Sequence, residues 1–206
     1  MMARRWFLAF LVLLLASVPL RAAERPLLVC YGDSITAGLG LPYGKTYPDD
    51  LQRMLDQAGY HYRVVNRGTS GATTKDAVAG LPYLLRMHPA VAIVEFGGND
   101  GLRGLPIADT RANLDKVLTT LQGAHIRVLL AGITLPPDYG PDYIRQFQDM
   151  YRQLAAKDHV ALLPMLYIKL IGVPGTIQRD GIHPTEKGAI LIAETLVPAL
   201  KPLLKK

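Results

Sequence analysis

The sequence predicts an α/β domain: a parallel sheet of about five strands with helices on both faces. Three observations predict it. Short apolar runs alternate with helical patterns about five times along the chain, the rhythm of repeated strand–helix crossovers. The first run is continuously apolar, as strands buried on both faces are. The chain has 206 residues, 50% of them hydrophobic, which fits one domain with one sizeable core.

The elements follow in order. Pro26 to Tyr31 reads as the first strand. Residues 47–58 read as a helix, with Asp49 and Asp50 in its first turn, where carboxylates complement the helix dipole. His61 to Asn66 is the second strand, and residues 73–87 carry a helical pattern. Ala90 to Phe96, rich in β-branched residues, is the third strand. A helix over 107–122, a strand from Arg127 to Ile133 and a helix over 142–157 come next. Val160 to Leu163 is a short fifth strand. Thr185 to Leu204 is the last helix, its start marked by Pro184. Ligands of open parallel sheets sit beyond the carboxyl ends of the strands. A site is therefore expected among loops 32–46, 66–73, 97–106, 134–141 and 164–184.

The first 23 residues differ from the rest. Arg4 and Arg5 precede an uncharged apolar run, Trp6 to Val18, and Ala22-Ala23 offers small residues for cleavage. This is the pattern of a signal peptide over 1–23, ahead of a single domain over 24–206. It predicts a periplasmic or secreted protein with no stable membrane span after processing. The run is shorter than the roughly 20 residues of a spanning helix; a short uncleaved anchor is the alternative. Cys30 is the only cysteine, so no disulfide forms within the chain. It reads as a small buried hydrophobe, and Val29 before it argues against lipid attachment. The formal charge of +6 falls to +3 without the leader's three arginines. The basic residues are scattered, so the electrostatic footprint of nucleic-acid binding is missing.

The loop after the first strand, "GDSITAGLGLPYGKT", resembles a phosphate cradle at first sight. Spacing excludes it. Leu39 stands where a P-loop ending in Gly44-Lys45-Thr46 requires glycine, and Tyr43 breaks the dinucleotide pattern. The other reading is a nucleophile. The chain has three serines, and Ser17 lies in the leader. Ser34 and Ser70 remain, each just past a predicted strand. A serine needs a base. Four histidines, at 61, 88, 125 and 159, lie at element ends and read as structural or solvated. His183 lies in "RDGIHPTEKGA", three residues after Asp180. One tight turn would let that carboxylate accept the Nδ1–H and leave Nε2 to take the serine proton. Ester hydrolysis also needs donors for a developing oxyanion. Gly71 in "NRGTSGATT" offers a backbone N–H, and Asn99 in "VEFGGNDGLRG" offers an amide.

Gly32-Asp33-Ser34, Gly71, Gly98-Asn99-Asp100 and Asp180-Gly181-Ile182-His183 together resemble the four blocks of the SGNH, or GDSL, hydrolases, in order over roughly residues 26 to 190. Within that family "GGNDGLRG" and "DGIHP" are most similar to bacterial periplasmic thioesterases, lysophospholipases and arylesterases. The resemblance implies a flavodoxin-like three-layer α/β/α fold. It implies Ser34 as nucleophile, His183 as base and Asp180 as its orienting carboxylate. It implies an oxyanion hole of the Ser34 N–H, the Gly71 N–H and the Asn99 side chain. It implies no metal or organic cofactor. Two departures stand out: Ile35 replaces the leucine of the first block, and Ala72 follows Gly71 where close relatives often have aspartate. The expected activity is cleavage of carboxylic ester or thioester bonds in a small-molecule or lipid substrate, by a monomer. The alternatives are a carbohydrate O-acetyl esterase and a binding module that keeps the fold without chemistry. Leu39, Leu41, Leu102, Leu105, Ile107, Leu135 and Pro136 lie in or beside the edge loops. Leu102, Leu135 and Pro136 are the leading candidates for holding an acyl chain.

Overall fold

A computed structural model describes residues 24–206. The expected signal peptide, 1–23, lies outside the described residues. Five parallel strands form one sheet: β1 (Leu27–Gly32), β2 (Arg63–Gly68), β3 (Val91–Glu95), β4 (Arg127–Ala131) and β5 (Ala161–Leu163). Their order is β2-β1-β3-β4-β5. The helices are α1 (Ser34–Ala37), α2 (Tyr47–Gln57), α3 (Thr74–Arg86), α4 (Gly98–Leu102), α5 (Ile107–Gly123), α6 (Pro141–Asp158) and α7 (Glu186–Leu200). The expected α/β/α architecture is present.

The layers follow from strand alternation. Neighbouring residues on β1 point to opposite faces. Tyr31 reaches α3, donating its hydroxyl proton to the Ala77 carbonyl at 2.6 Å. Cys30 faces α2, beside Tyr47. Helices α3, α5 and α6 pack together on one face, and α2 packs with α7 on the other. Cys30 is fully buried, and desolvation pushes its thiol well above the usual range, which fits a packing role. The residues of β3 are buried throughout. The edge strand β2 is half-buried.

Local sequence sets the helix starts. At both α2 and α3 a threonine precedes the helix and an aspartate follows three positions later. Asp49 accepts from the Thr46 N–H, and Asp76 accepts from the Thr73 N–H at 2.8 Å, so each helix opens on a satisfied turn. Thr185 caps α7 through the Gly188 N–H.

Several boundaries shift by a residue or two, and three of the differences have a structural reason. The second strand runs 63–68 rather than 61–66, because Tyr62 is a buried core residue just before the ladder begins. Pro184 is not the first helical residue. It precedes the capping Thr185 and pairs with Ile177 in an isolated bridge. The last helix ends at Leu200, and a 3₁₀ turn over Lys201–Leu203 replaces its expected final turn. Loops 32–46, 97–106 and 134–141 contain α1, α4 and a 3₁₀ turn at Pro137–Tyr139. Among the described residues no helix is long and apolar enough to cross a membrane.

The chain reverses its direction of sheet growth between β1 and β3, which lie side by side although β2 separates them in sequence. Crevices at such a switch point receive ligands. β1 ends in Gly32-Asp33-Ser34 and β3 ends just before Gly97-Gly98-Asn99, so two of the four blocks flank that crevice.

Candidate active site

Ser34 opens α1 directly beyond β1. The preceding Asp33 caps that helix, its Oδ1 accepting the Ile35 N–H at 2.9 Å. The cap turns the chain sharply and holds the Ser34 side chain at the sheet's carboxyl edge. His183 comes from the far end of the chain, 149 residues away, and its Nε2 lies 2.9 Å from Ser34 Oγ. Its Nδ1 lies 2.7 Å from Asp180 Oδ2. The other carboxylate oxygen, Oδ1, accepts the N–H groups of Ile182 and His183, at 2.9 and 3.0 Å. Asp180 and His183 are thus locked on one turn. Partial burial opposes ionisation of Asp180, but those N–H donors and the imidazole outweigh it. Its carboxyl is lowered to about 2.

A fastener seats this turn against the loop that follows Ser34. Gln178 Nε2 donates to the carbonyls of Leu39 and Pro184, each at 2.8 Å. The two segments it joins are 139 residues apart in sequence.

Ser34, Gly71, Asn99 and His183 border one cavity of about 540 Å³. Gly71 takes φ of +79°, a left-handed turn that glycine adopts without strain. Arg103 Nη2 holds that turn by donating to the Gly71 carbonyl at 2.8 Å. Among the described residues the N–H groups of Ser34 and Gly71 take no internal partner. Asn99 differs from the simple expectation of a free amide. Its Nδ2 donates to Asp33 Oδ2 at 3.1 Å and to the Ala72 carbonyl at 3.0 Å. An oxyanion would share one of those protons.

The remaining wall is apolar. Leu39, Leu102, Leu135 and Pro136 line the cavity. Leu41, Leu105 and Ile107 do not. Ile133, Tyr167 and Ile182 belong to it although no loop argument singled them out. Ser70, the other serine, is exposed and outside it. His61, His88, His125 and His159 are exposed. Three of them, all but His61, sit in the left-handed conformation just past helices, at φ of 50° to 60°. They are helix-end residues, as expected.

A family model described as the GDSL-like lipase/acylhydrolase family matches residues 30–190. The chain belongs to this family. It is 44% identical over 185 residues to the esterase TesA of Pseudomonas aeruginosa, a match spanning 89% of this chain and 92% of that protein. It is 37% identical over 201 residues to the thioesterase 1/protease 1/lysophospholipase L1 of Escherichia coli K12, spanning 97% and 94%. A crystal structure of TesA superposes with a TM-score of 0.83 at 43% identity, covering 86% of this chain and 99% of that one.

One part of this GDSL-family site was not visible in the sequence. Glu95, the last residue of β3, is completely buried. Its Oε2 accepts the Asp33 N–H at 3.3 Å and the Thr36 hydroxyl at 2.7 Å. Its Oε1 has no partner among the described residues. An ionised carboxylate with one bare buried oxygen is costly. Burial and the neighbouring Asp33 push Glu95 well above the usual carboxyl range. Desolvation also raises Asp33 to about 6, against the pull of its Ile35 N–H bond and of His183. Folded protein therefore holds more protons than unfolded chain over this range. Stability is full below about pH 4 for this pair and falls as pH rises through about 6 and beyond. We expect the thermal midpoint to drop between pH 4.5 and 7.5, a window set by these values. Glu95→Gln should flatten that slope; an identical slope would remove Glu95 from the account.

Proposed function

We propose that the chain is an exported serine hydrolase that cleaves carboxylic ester or thioester bonds through an acyl-enzyme on Ser34. The observation that carries this is the unbroken relay Asp180–His183–Ser34, at 2.7 and 2.9 Å. Ser34 Oγ attacks the carbonyl carbon while His183 Nε2 takes its proton. The tetrahedral intermediate collapses, and the protonated imidazole hands that proton to the departing alkoxide or thiolate. Water then repeats the two steps on the acyl-enzyme and releases the acid. The Ser34 and Gly71 N–H groups and the Asn99 amide supply donors for the oxyanion. Leu102, Leu135 and Pro136 hold the acyl chain. The apolar character of this wall favours an acyl substrate over an acetylated sugar. Family membership and the names carried by the relatives support the same reaction class.

A fluorophosphonate probe tests the assignment: label on the Ser34 peptide supports it, and a folded protein left unlabelled contradicts it. Rates across acyl lengths, for matched esters and thioesters, then rank the substrates. Asn99→Ala should cut kcat by about 10²–10³-fold with KM changed little. It should also cost about 1–3 kcal/mol of stability, because buried Asp33 and the Ala72 carbonyl each lose a donor. The expected monomer is tested by light scattering on the purified protein. Export rests on residues 1–23, and the mass of the mature N-terminus decides it.

A further inference from the structure

A second cavity, of about 360 Å³, lies between the end of β2 and α3. Small-molecule pockets begin near 300 Å³. It shares no lining residue with the catalytic cavity. The turn 69–72 stands between them: Thr69 and Ala72 face this cavity and Gly71 faces the other.

Its floor is apolar and stiff. Tyr31 and Phe96 meet edge to face at 4.8 Å. Gly80 leaves the space open; a Cβ there would come within 2.3 Å of the Tyr31 hydroxyl. The mouth carries a cation. Arg67 Nη2 donates to the Tyr83 hydroxyl at 2.7 Å, and its guanidinium carbon sits 4.7 Å from the Tyr83 ring centre. The Arg86 guanidinium approaches the same ring at 5.5 Å. Among the described residues Arg67 makes no ion pair, and its Nε–H is buried with no acceptor at all. A buried donor left bare on a cationic group is rare. A planar carboxylate is the group that an arginine fork binds best. One anion also lines the cavity: Asp76. Its Oδ2 accepts the Thr73 N–H and hydroxyl at 2.8 and 2.7 Å, which holds the carboxylate in place. That fixed negative charge disfavours a dianion such as phosphate and leaves room for a single charge at the Arg67 side.

We infer that this cavity is a second ligand site, for a small amphiphilic monocarboxylate whose head pairs with Arg67 and whose tail lies on Tyr31, Phe96 and Gly80. The inference stands apart from the catalytic reading, because binding is measured without turnover.

The test uses ¹⁵N-labelled full-length domain and sodium hexanoate, followed through the Arg67 Nε–H resonance. That resonance should shift saturably, together with the Gly80 and Leu84 amides. Hexanol, with the same tail and no charge, should bind at least about tenfold more weakly, and Arg67→Met should weaken hexanoate by a similar factor. Hydrolysis of p-nitrophenyl butyrate by Arg67→Met should stay within about twofold of wild type, since the residue lies outside the catalytic cavity. If Arg67→Met fails to fold, Arg67→Lys keeps the charge without the fork and should still lose affinity. The inference is overturned if the Arg67 resonance does not move. It is equally overturned if shifts confine themselves to Leu102 and Ile182, or if hexanol matches hexanoate.

Discussion

Ser34→Ala is expected to lower the turnover of a p-nitrophenyl ester by roughly 10⁴-fold or more while leaving the thermal midpoint unchanged. Both halves follow from the geometry. The Ser34 hydroxyl lies 2.9 Å from His183 Nε2, placed to give that nitrogen its proton. Its hydrogen bond is to a partly exposed imidazole, and the turn itself is held by Asp33 and Glu95, not by Oγ. Removing one oxygen thus deletes the atom proposed to attack and disturbs no buried network. The small residual rate would reflect the oxyanion donors acting on bound substrate and water. A variant that keeps wild-type turnover would mean that another atom attacks.

Asp180→Asn should cost roughly 10³-fold in kcat with the fold retained. The amide cannot accept the Nδ1–H as a carboxylate does, so the imidazole loses both its preferred tautomer and the charge that stabilises its protonated form. Buried triads lose somewhat more on this change; the Asp180 side chain is 45% exposed, so water replaces part of its effect. The wild-type carboxyl, at about 2, stays ionised through every pH at which an imidazole can act as a base. Asp180 itself therefore adds no titration step from pH 5 to 9, a range lying wholly above that value, and any pH dependence of the deficit there comes from the imidazole losing the charge that stabilises its protonated form. The contribution of Asp180 to stability is present above its unfolded value near 4 and is lost as pH falls toward 2. A folded variant that loses less than about tenfold in kcat at pH 8 would assign Asp180 another role.

How far the sequence reaches is best judged residue by residue. β1, β3 and β4 are legible because their residues are almost all buried, which leaves long apolar runs with no competing period. β2 is an edge strand with half-buried residues, and its expected bounds fall two residues early. α1 and α4 have four and five residues, too few to show a helical repeat. Ser34, Asp180 and His183 are legible as chemistry because few serines and histidines compete for the roles. Glu95 is not. It ends an apolar strand, where a carboxylate reads as the first solvent-facing residue, and its partner Thr36 lies 59 positions earlier. The Asn99 bonds to Asp33 and Ala72 are hidden for the same reason: contacts between distant loops leave no local trace. Loop membership alone placed Leu41, Leu105 and Ile107 beside Leu102, yet it carries no information about side-chain direction.

The Gln178 amide ties two remote loops together at the rim, outside the packed sheet, through one hydrogen bond to Leu39, while a second, to Pro184, holds the amide in place. Such a clasp can come undone while the strands beneath stay folded. Heat would then silence the enzyme before it melts, and cooling would restore it, so the working lifetime of this catalyst is governed by its periphery rather than its core.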